Sequence, residues 1–399
     1  MKLLIGGSPC TYWSIAQTKT RETEASGMGW ELFLNYVISR DKFQPQYFLY
    51  ENNKSMSAAI RQQITRMLGM EPTLINSALV SAQNRQRLYW AGRRNPDGSY
   101  SRIEVPQPQD KGILLRDILE SGICWREKAY TLDSNYYKTL GQQGFDTQSG
   151  RRKMVAEPVL VNSDGKAHCL AGNRGGHCLA HDIGKSTFSY AAEPIRIGTI
   201  ESNAKNTDYD SQQYRVYSPD GKSVTLCGNG GGIGAKTGLY AIPTEVEGAD
   251  GKIHPVYEVR DGRITIKGKQ YPIKLADGFY IIRKLTVTEC KRLQTVPDSF
   301  EFPVSDTQAY KMLGNGWTVD VIAHILSFME GIRGGQQPLD VFSMYDGMAC
   351  GHIALDKLGA NIRRYCATEI DPYCIKTATH NFPDIVELGD AFKIRGTEE

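Results

Sequence analysis

The 399-residue sequence contains no apolar run near the roughly 18 residues that a membrane-spanning helix needs, so a membrane protein of the helical kind is not expected. Net charge is small, +3 from 47 basic and 44 acidic residues. Any nucleic-acid surface must therefore come from local clustering and not from global charge. Nine cysteines are scattered without paired spacing. An odd set of this kind reads as reduced thiols rather than a disulfide framework. Met1-Lys2 leads directly into an apolar run with no signal-peptide pattern, and the expected location is the cytoplasm. The length suits two domains, or one large domain carrying an insertion.

What is present is organised around Leu3-Leu4-Ile5-Gly6-Gly7-Ser8-Pro9-Cys10. The apolar run suits a buried parallel strand. Gly6-Gly7 permits a sharp turn or a close approach, and Pro9 fixes its own φ while biasing Ser8 towards extended backbone. Such a turn holds Cys10 at the carboxyl edge of a sheet, where open α/β folds place their ligands. Cys10 is the candidate nucleophile, although a buried core thiol would look the same in isolation.

Thr11 to Gly29 is polar, with too little apolar periodicity for a packed helix, and reads as a loop that covers or binds something. Helical spacing returns over Trp30 to Ser39. A second buried strand, Tyr47 to Tyr50, delivers Glu51 at its end. A partly buried carboxylate there can hold or donate a proton, and it can equally cap the following helix over Ser55 to Leu68. Gln83, Arg85 and Arg87 would share one face of a strand by the period of two, giving an anion-seeking row. From Asn95 the texture changes, with Pro96, Pro106 and Pro108 marking a boundary.

Residues 100 to 282 are rich in Gly, Ser and Asn with short β-type runs, as a smaller, mostly β domain would be. The loops at 169–176 and 226–232 echo one another and serve either as ligand-approaching turns or as hairpins. His168, Cys169, His177, Cys178 and His181 match no zinc-finger spacing, and no metal is expected. Thr286 and Glu289 stand in capping-box spacing at the start of a helix. Leu313-Gly314-Asn315-Gly316-Trp317 then breaks the chain before a strongly apolar helix.

After a Gly/Gln linker at 331–338, Val341 to Gly351 reads as strand, glycine turn and helix, the βα unit that accommodates a nucleoside-bearing ligand. A second strand ends at Glu369, 18 residues after Gly351, as for a carboxylate on ribose hydroxyls. A third ends at Gly389-Asp390.

Together these stretches resemble the cytosine-5 DNA methyltransferase family. Gly-Gly-Ser-Pro-Cys at 6–10, Glu51-Asn52, Gln-x-Arg-x-Arg at 83–87, the stretch 285–298 and Leu313-Gly314-Asn315 look like its catalytic and closing motifs. Residues 341–351, Glu369-Ile370-Asp371 and Gly389-Asp390 look like its cofactor motifs, with 343–351 and Gly316-Trp317 especially similar to mammalian de novo and phage-encoded enzymes. The family's cofactor motifs come first, whereas here they come last, so the resemblance implies a circularly permuted, Rossmann-like α/β methyltransferase fold. Its expected parts are a catalytic half at 1–99, target recognition and closing motif at 100–305, and a closing helix with the cofactor half at 306–399. Asn53 stands where valine is usual, Tyr345 for phenylalanine, and Gly316-Trp317 where many bacterial enzymes have Ser-Val.

The resemblance implies a covalent Cys10 adduct at C6 of a flipped cytosine, Glu51 on N3 and the exocyclic amine, and Arg85 and Arg87 on the flipped nucleotide. It implies S-adenosyl-L-methionine as cofactor, with contacts at Pro9, Asn315, Trp317, Tyr345, Asp346, Gly347, Gly351, Glu369, Ile370 and Asp390. Ser14 and Gln17 are expected to reach into the vacated duplex. The expected partner is double-stranded DNA in a bacterial or phage-infected cell, with no obligatory protein partner and room for a companion restriction enzyme. RNA methylation on the same fold and a silent DNA-binding regulator are the rival expectations.

Overall fold

A computed structural model describes residues 1–9, 12–13, 21–123, 127–132, 134, 154–158, 196–199, 215–217, 239–240, 245–266, 269–272, 275 and 277–396. Two stretches far apart in sequence lie side by side at the centre of the main sheet. Strand β1 (Lys2–Gly6) pairs in parallel with β2 (Tyr47–Asn53) on one side. On its other side it pairs in parallel with a strand from the far end of the chain, Lys2 opposite Asp340 through Gly6 opposite Met344. With β3 (Thr73–Asn76), β4 (Gln86–Arg94) and β5 (Tyr100–Arg102), that distant strand is β6 (Leu339–Met344), followed by β7 (Ile362–Thr368) and β8 (Ile385–Glu387). The order is β8-β7-β6-β1-β2-β4-β3, with β5 on β4. Strands β8 to β2 run parallel, and β4 pairs antiparallel with β2, β3 and β5.

Parallel strands bury both faces, and the period of two sorts their side chains accordingly. Leu3, Ile5, Tyr47, Leu49, Tyr89, Ala91, Leu339 and Val341 belong to one core. Leu4, Phe48, Tyr50, Leu88, Trp90 and Met344 belong to the other. Helices α1 (Met28–Phe43) and α2 (Ala58–Leu68) cover the second face through Phe33, Tyr36, Ile60 and Ile64. The first face is covered by α3 (Val287–Leu293), α4 (Asp306–Asn315), α5 (Val319–Leu326), α6 (Cys350–Lys357) and α7 (Pro372–Asn381). This is a doubly wound α/β layer structure with a central sheet. None of the described helices is long and apolar enough to cross a membrane.

Several elements depart from their sequence-derived limits. Strand β2 continues through Glu51 to Asn53, so Glu51 sits within the strand, opposite Tyr89, and caps nothing. The cap of α2 is Ser57, whose hydroxyl accepts from the Ile60 N–H. The Gln83–Arg87 row is not one strand: Gln83–Asn84 pairs separately with Ala129–Tyr130, and the chain breaks at Arg85 before β4. The side chains of Gln83 and Arg85 are drawn into the interior there.

In the middle region strands predominate among the described residues, chiefly the antiparallel partners Ile253–Arg260 and Gly278–Lys284, with Met154–Pro158 alongside. They are tied to α3 by Arg283. Fully buried, its guanidinium meets both carboxylate oxygens of Glu289 at 2.9 and 3.0 Å. Glu289 also completes the capping box with Thr286, so one carboxylate joins a helix start to the strand before it. The loops at 169–176 and 226–232 and the His/Cys set at 168–181 lie outside the described residues.

The crossing of α6 over β1 is close enough to require glycine. A Cβ on Gly351 would stand 2.2 Å from Ile5 Cδ1 and 3.0 Å from the Tyr365 hydroxyl. Gly351→Ala is expected to destabilise by about 1–3 kcal/mol through overpacking. Adding Ile5→Val, which removes the obstructing methyl, should restore part of the lost melting temperature although it is destabilising alone. Equal losses that simply add would show that the contact is not limiting.

Candidate active site

The turn after β1 lies against the end of β2. A Cβ at Gly7 would come within 2.7 Å of the Glu51 carbonyl oxygen and 3.1 Å of its Oε2, so only glycine admits this approach. Ser8 is buried and locked by a small polar cluster. Its hydroxyl shares a 2.7 Å hydrogen bond with the Tyr50 hydroxyl, and Asn52 Nδ2 donates to the Ser8 carbonyl at 3.1 Å. The turn is thereby held through Pro9. Cys10 follows, outside the described residues, as do Ser14 and Gln17.

Glu51 is only 8% exposed, and both carboxylate oxygens are engaged. Arg87 Nε is 3.1 Å from Oε1, while the Trp317 indole N–H donates to Oε2 at 2.9 Å. Arg87 reaches it because β2 and β4 are antiparallel neighbours with Asn53 opposite Arg87. Trp317 arrives from the α4–α5 joint on the same face.

Arg85 points elsewhere. Its guanidinium, buried, donates to the carbonyls of Leu132 at 3.1 Å, Gly314 at 3.2 Å and Gly316 at 2.8 Å. Gln83 accepts from the Leu132 N–H and donates to the Leu293 carbonyl. Gln294 donates to the Leu313 carbonyl at 2.6 Å and accepts from the Thr318 hydroxyl, which in turn accepts from Ser77. Arg85 and Gln294 thereby satisfy the carbonyls of a helix break that would otherwise be buried without partners. The break from strand geometry at Arg85 lets this happen.

At the end of β6 the chain turns through Tyr345 and Ala349, both non-glycine residues at positive φ (59° and 64°). Gly347 lies between them at φ 64°, with no atom within 4 Å of where its Cβ would be. Its N–H donates to Glu369 at 2.8 Å, and Glu369 also accepts the N–H groups of Ile370 and Asp371. Asp346 accepts from Ser343 and from the Tyr365 hydroxyl through one oxygen, leaving Oδ2 buried with no partner. Both oxygens of Glu387, at the end of β8, are likewise buried without partners. Burial, above all, raises Asp346 to about 6 and Glu387 to about 7; the neighbouring carboxylates add to both shifts.

A family model for C-5 cytosine-specific DNA methylases matches residues 1–330. The chain belongs to that family. The methylase is 24% identical to an orphan methyltransferase of Bacillus phage SPR, with 81% of each chain covered. It is 26% identical to the type II methyltransferase M.HpaII of Haemophilus parainfluenzae over 80% of this chain and 69% of that one. Among solved structures, the S. pombe Dnmt2 methyltransferase shares 14% identity and a TM-score of 0.31, covering 82% of this chain and 78% of that one.

The methylase is thus an enzyme of the DNA cytosine-5 methyltransferase class, and its methyl donor is S-adenosyl-L-methionine. The strand ends fit such a ligand: unpartnered buried carboxylate oxygens at Asp346 and Glu387 suit a cation, and the open space at Gly347 admits one. Ile370 is 73% exposed at the end of β7, with exposed Leu388 and Phe392 beyond β8, an apolar border of the kind a base needs. Asp390 accepts from the Phe392 N–H at 2.9 Å. Asn315 is exposed at the end of α4, and Gly351 is packed inside α6 against β1.

Sequence reasoning had no means of finding Glu387 or the Trp317–Glu51 bond. Glu387 reads as an ordinary strand residue, and the bond joins positions 266 residues apart. Among the other thiols, burial pushes Cys350 up to about 12 and raises Cys374 further, so neither is poised as a thiolate.

A carboxyl group raised in the folded state stabilises while protonated, and that stability is lost as pH rises through its folded value. For Glu387 the window runs from its ordinary value of 4.5 up to about 7. Glu387→Gln is therefore expected to raise the melting temperature of the cofactor-free methylase by a few degrees at pH 8 and to leave it nearly unchanged at pH 5. Equal shifts at both pH values would contradict this.

Proposed function

We propose that this methylase transfers a methyl group to C5 of a cytosine flipped out of double-stranded DNA, with Cys10 as nucleophile and Glu51 as the group that holds the base. The observation that carries this reading is the buried Glu51 carboxylate, met by Arg87 and pressed by the Gly7 turn, which in sequence leads on to Cys10. C5 of cytosine is a weak nucleophile. Addition of a Cys10 thiolate to C6 moves the C5–C6 π pair into an enamine, so that C5 carries the electron density. During addition N3 takes up a proton that the Glu51 carboxylate holds against it, and Glu51 accepts from the exocyclic amine, which drains charge from the ring. When bound, S-adenosyl-L-methionine supplies a methyl group on a positively charged sulfur that leaves as a neutral thioether. Loss of the C5 proton to a base then lets the C6–sulfur bond break, restoring the double bond and the free thiolate.

Arg87 orients Glu51 in this reading, and Arg85 acts through the carbonyls it holds at Gly314 and Gly316. The cofactor is held by Tyr345, Asp346, Gly347, Glu369, Ile370 and Asp390, walled by Pro9, Asn315 and Trp317. Base flipping, with Ser14 and Gln17 entering the duplex, follows from the burial of C6 in paired DNA. The 100–282 region recognises the target, and the enzyme acts on DNA in the cytoplasm of a bacterial or phage-infected cell.

We also propose that the chain is circularly permuted relative to its relatives. In support, the family match ends at residue 330, before the cofactor strands at 339–387, and Met1 lies beside Pro338, its nitrogen 2.8 Å from the Pro338 carbonyl. Joining and cutting at adjacent surface points disturbs a packed core little.

Bisulfite sequencing of a random-sequence duplex library treated with enzyme and S-adenosyl-L-methionine tests the reaction and yields the target site. Protected cytosines should disappear with Cys10→Ser and fall by about 100-fold or more with Glu51→Gln. Protection that survives Cys10→Ser, or methyl incorporation into tRNA and not into duplex DNA, would overturn the reading.

A further inference from the structure

We infer that Trp317 is a positioning residue for Glu51, holding the carboxylate through its indole N–H so that the closing turn beside the cofactor loop sets the geometry of the base-holding group. This rests on the assignment of Glu51 proposed above. The indole nitrogen of tryptophan can only donate. Here it donates at 2.9 Å to Oε2, while Arg87 lies 3.1 Å from Oε1, so the two oxygens have different donors on different elements. One donor comes from the sheet through β4. The other comes from the turn between α4 and α5.

That turn is fixed independently of Glu51. Arg85 holds the Gly316 carbonyl at 2.8 Å, Gly316 packs against Cys350 so closely that a Cβ on it would stand 3.2 Å from the sulfur, and the Thr318 hydroxyl is bound to Gln294. Cys350 is the first residue of α6, next to the 345–349 turn. Trp317 therefore spans from the cofactor turn to the catalytic carboxylate on a rigid backbone. Without its N–H, Oε2 loses a charge-assisted bond in a buried site, and Glu51 is left to rotate towards Arg87 and away from the base. A tryptophan that merely filled space would be replaced by phenylalanine without this consequence.

The contribution is read without the cofactor. Addition of Cys10 at C6 loosens the C5 hydrogen, so release of tritium from duplex DNA labelled at cytosine C5 reports activation alone. Trp317→Phe, which keeps an aromatic wall, is expected to slow this exchange about tenfold or more, the loss of one hydrogen bond to a charged group. Exchange at the wild-type rate with a raised KM for S-adenosyl-L-methionine would make Trp317 a pocket wall only and overturn the inference. If instead Cys10→Ser or Glu51→Gln exchanges as fast as wild type, it is the assignment of the reacting groups that fails. A second measurement leaves Trp317 intact. In nitrogen-15-labelled protein, Glu51→Gln should move the indole N–H resonance of Trp317 and leave those of the other four of the five tryptophans in place. An unmoved Trp317 resonance overturns the inference however Trp317→Phe behaves.

Discussion

Every distance in the site depends on the parallel pairing of Lys2–Gly6 with Asp340–Met344. Parallel strands end on the same edge of a sheet, so this pairing sets the turn that leads to Cys10 beside the turn that carries Tyr345, Asp346 and Gly347. With β2 on the other side, Glu51 falls on that edge as well. The two turns are brought together by backbone hydrogen bonds between segments more than 330 residues apart, and the carboxylate by pairing with a neighbouring segment. The cost in chain entropy is met by a core in which Leu3, Leu4 and Ile5 are fully buried on both faces.

The polar interior around Arg85 is the second constraint. A helix that breaks at Gly314–Gly316 leaves carbonyls facing the protein interior, and buried carbonyls need donors. Arg85 and Gln294 supply them from two other elements. The break is useful because it carries Trp317 to Glu51. Thus a stretch that reads as an anion-binding row divides its work: Arg87 meets the Glu51 carboxylate from the sheet, and Arg85 holds the turn from which Trp317 meets it.

The cofactor end is electrostatically unfinished by itself. Asp346 and Glu387 keep buried oxygens without donors, and burial favours their protonated forms. A positively charged group brought beside these oxygens would relieve this, and a neutral one would not.

Much of this was legible in the sequence, for physical reasons that differ by element. Runs such as Leu3–Ile5 and Tyr47–Tyr50 announce strands because buried parallel strands are apolar on both faces. Thr286 and Glu289 announce a helix start because a capping box is local chemistry. The motifs around Cys10, Glu51, the 83–87 row, Glu369 and Asp390, though not their order, carry the resemblance to the family and so to its methyl donor. What only the tertiary structure decided are the relations across the chain. Glu51 lies inside its strand because antiparallel pairing with Tyr89 and Arg87 extends β2 beyond its apolar run. Gln83 and Arg85 turn inward because carbonyls more than 200 residues away require donors. Trp317 meets Glu51 because the helix joint and the strand end share one face of the sheet. Local periodicity specifies elements, but the partner of a buried polar atom depends on the closed core as a whole.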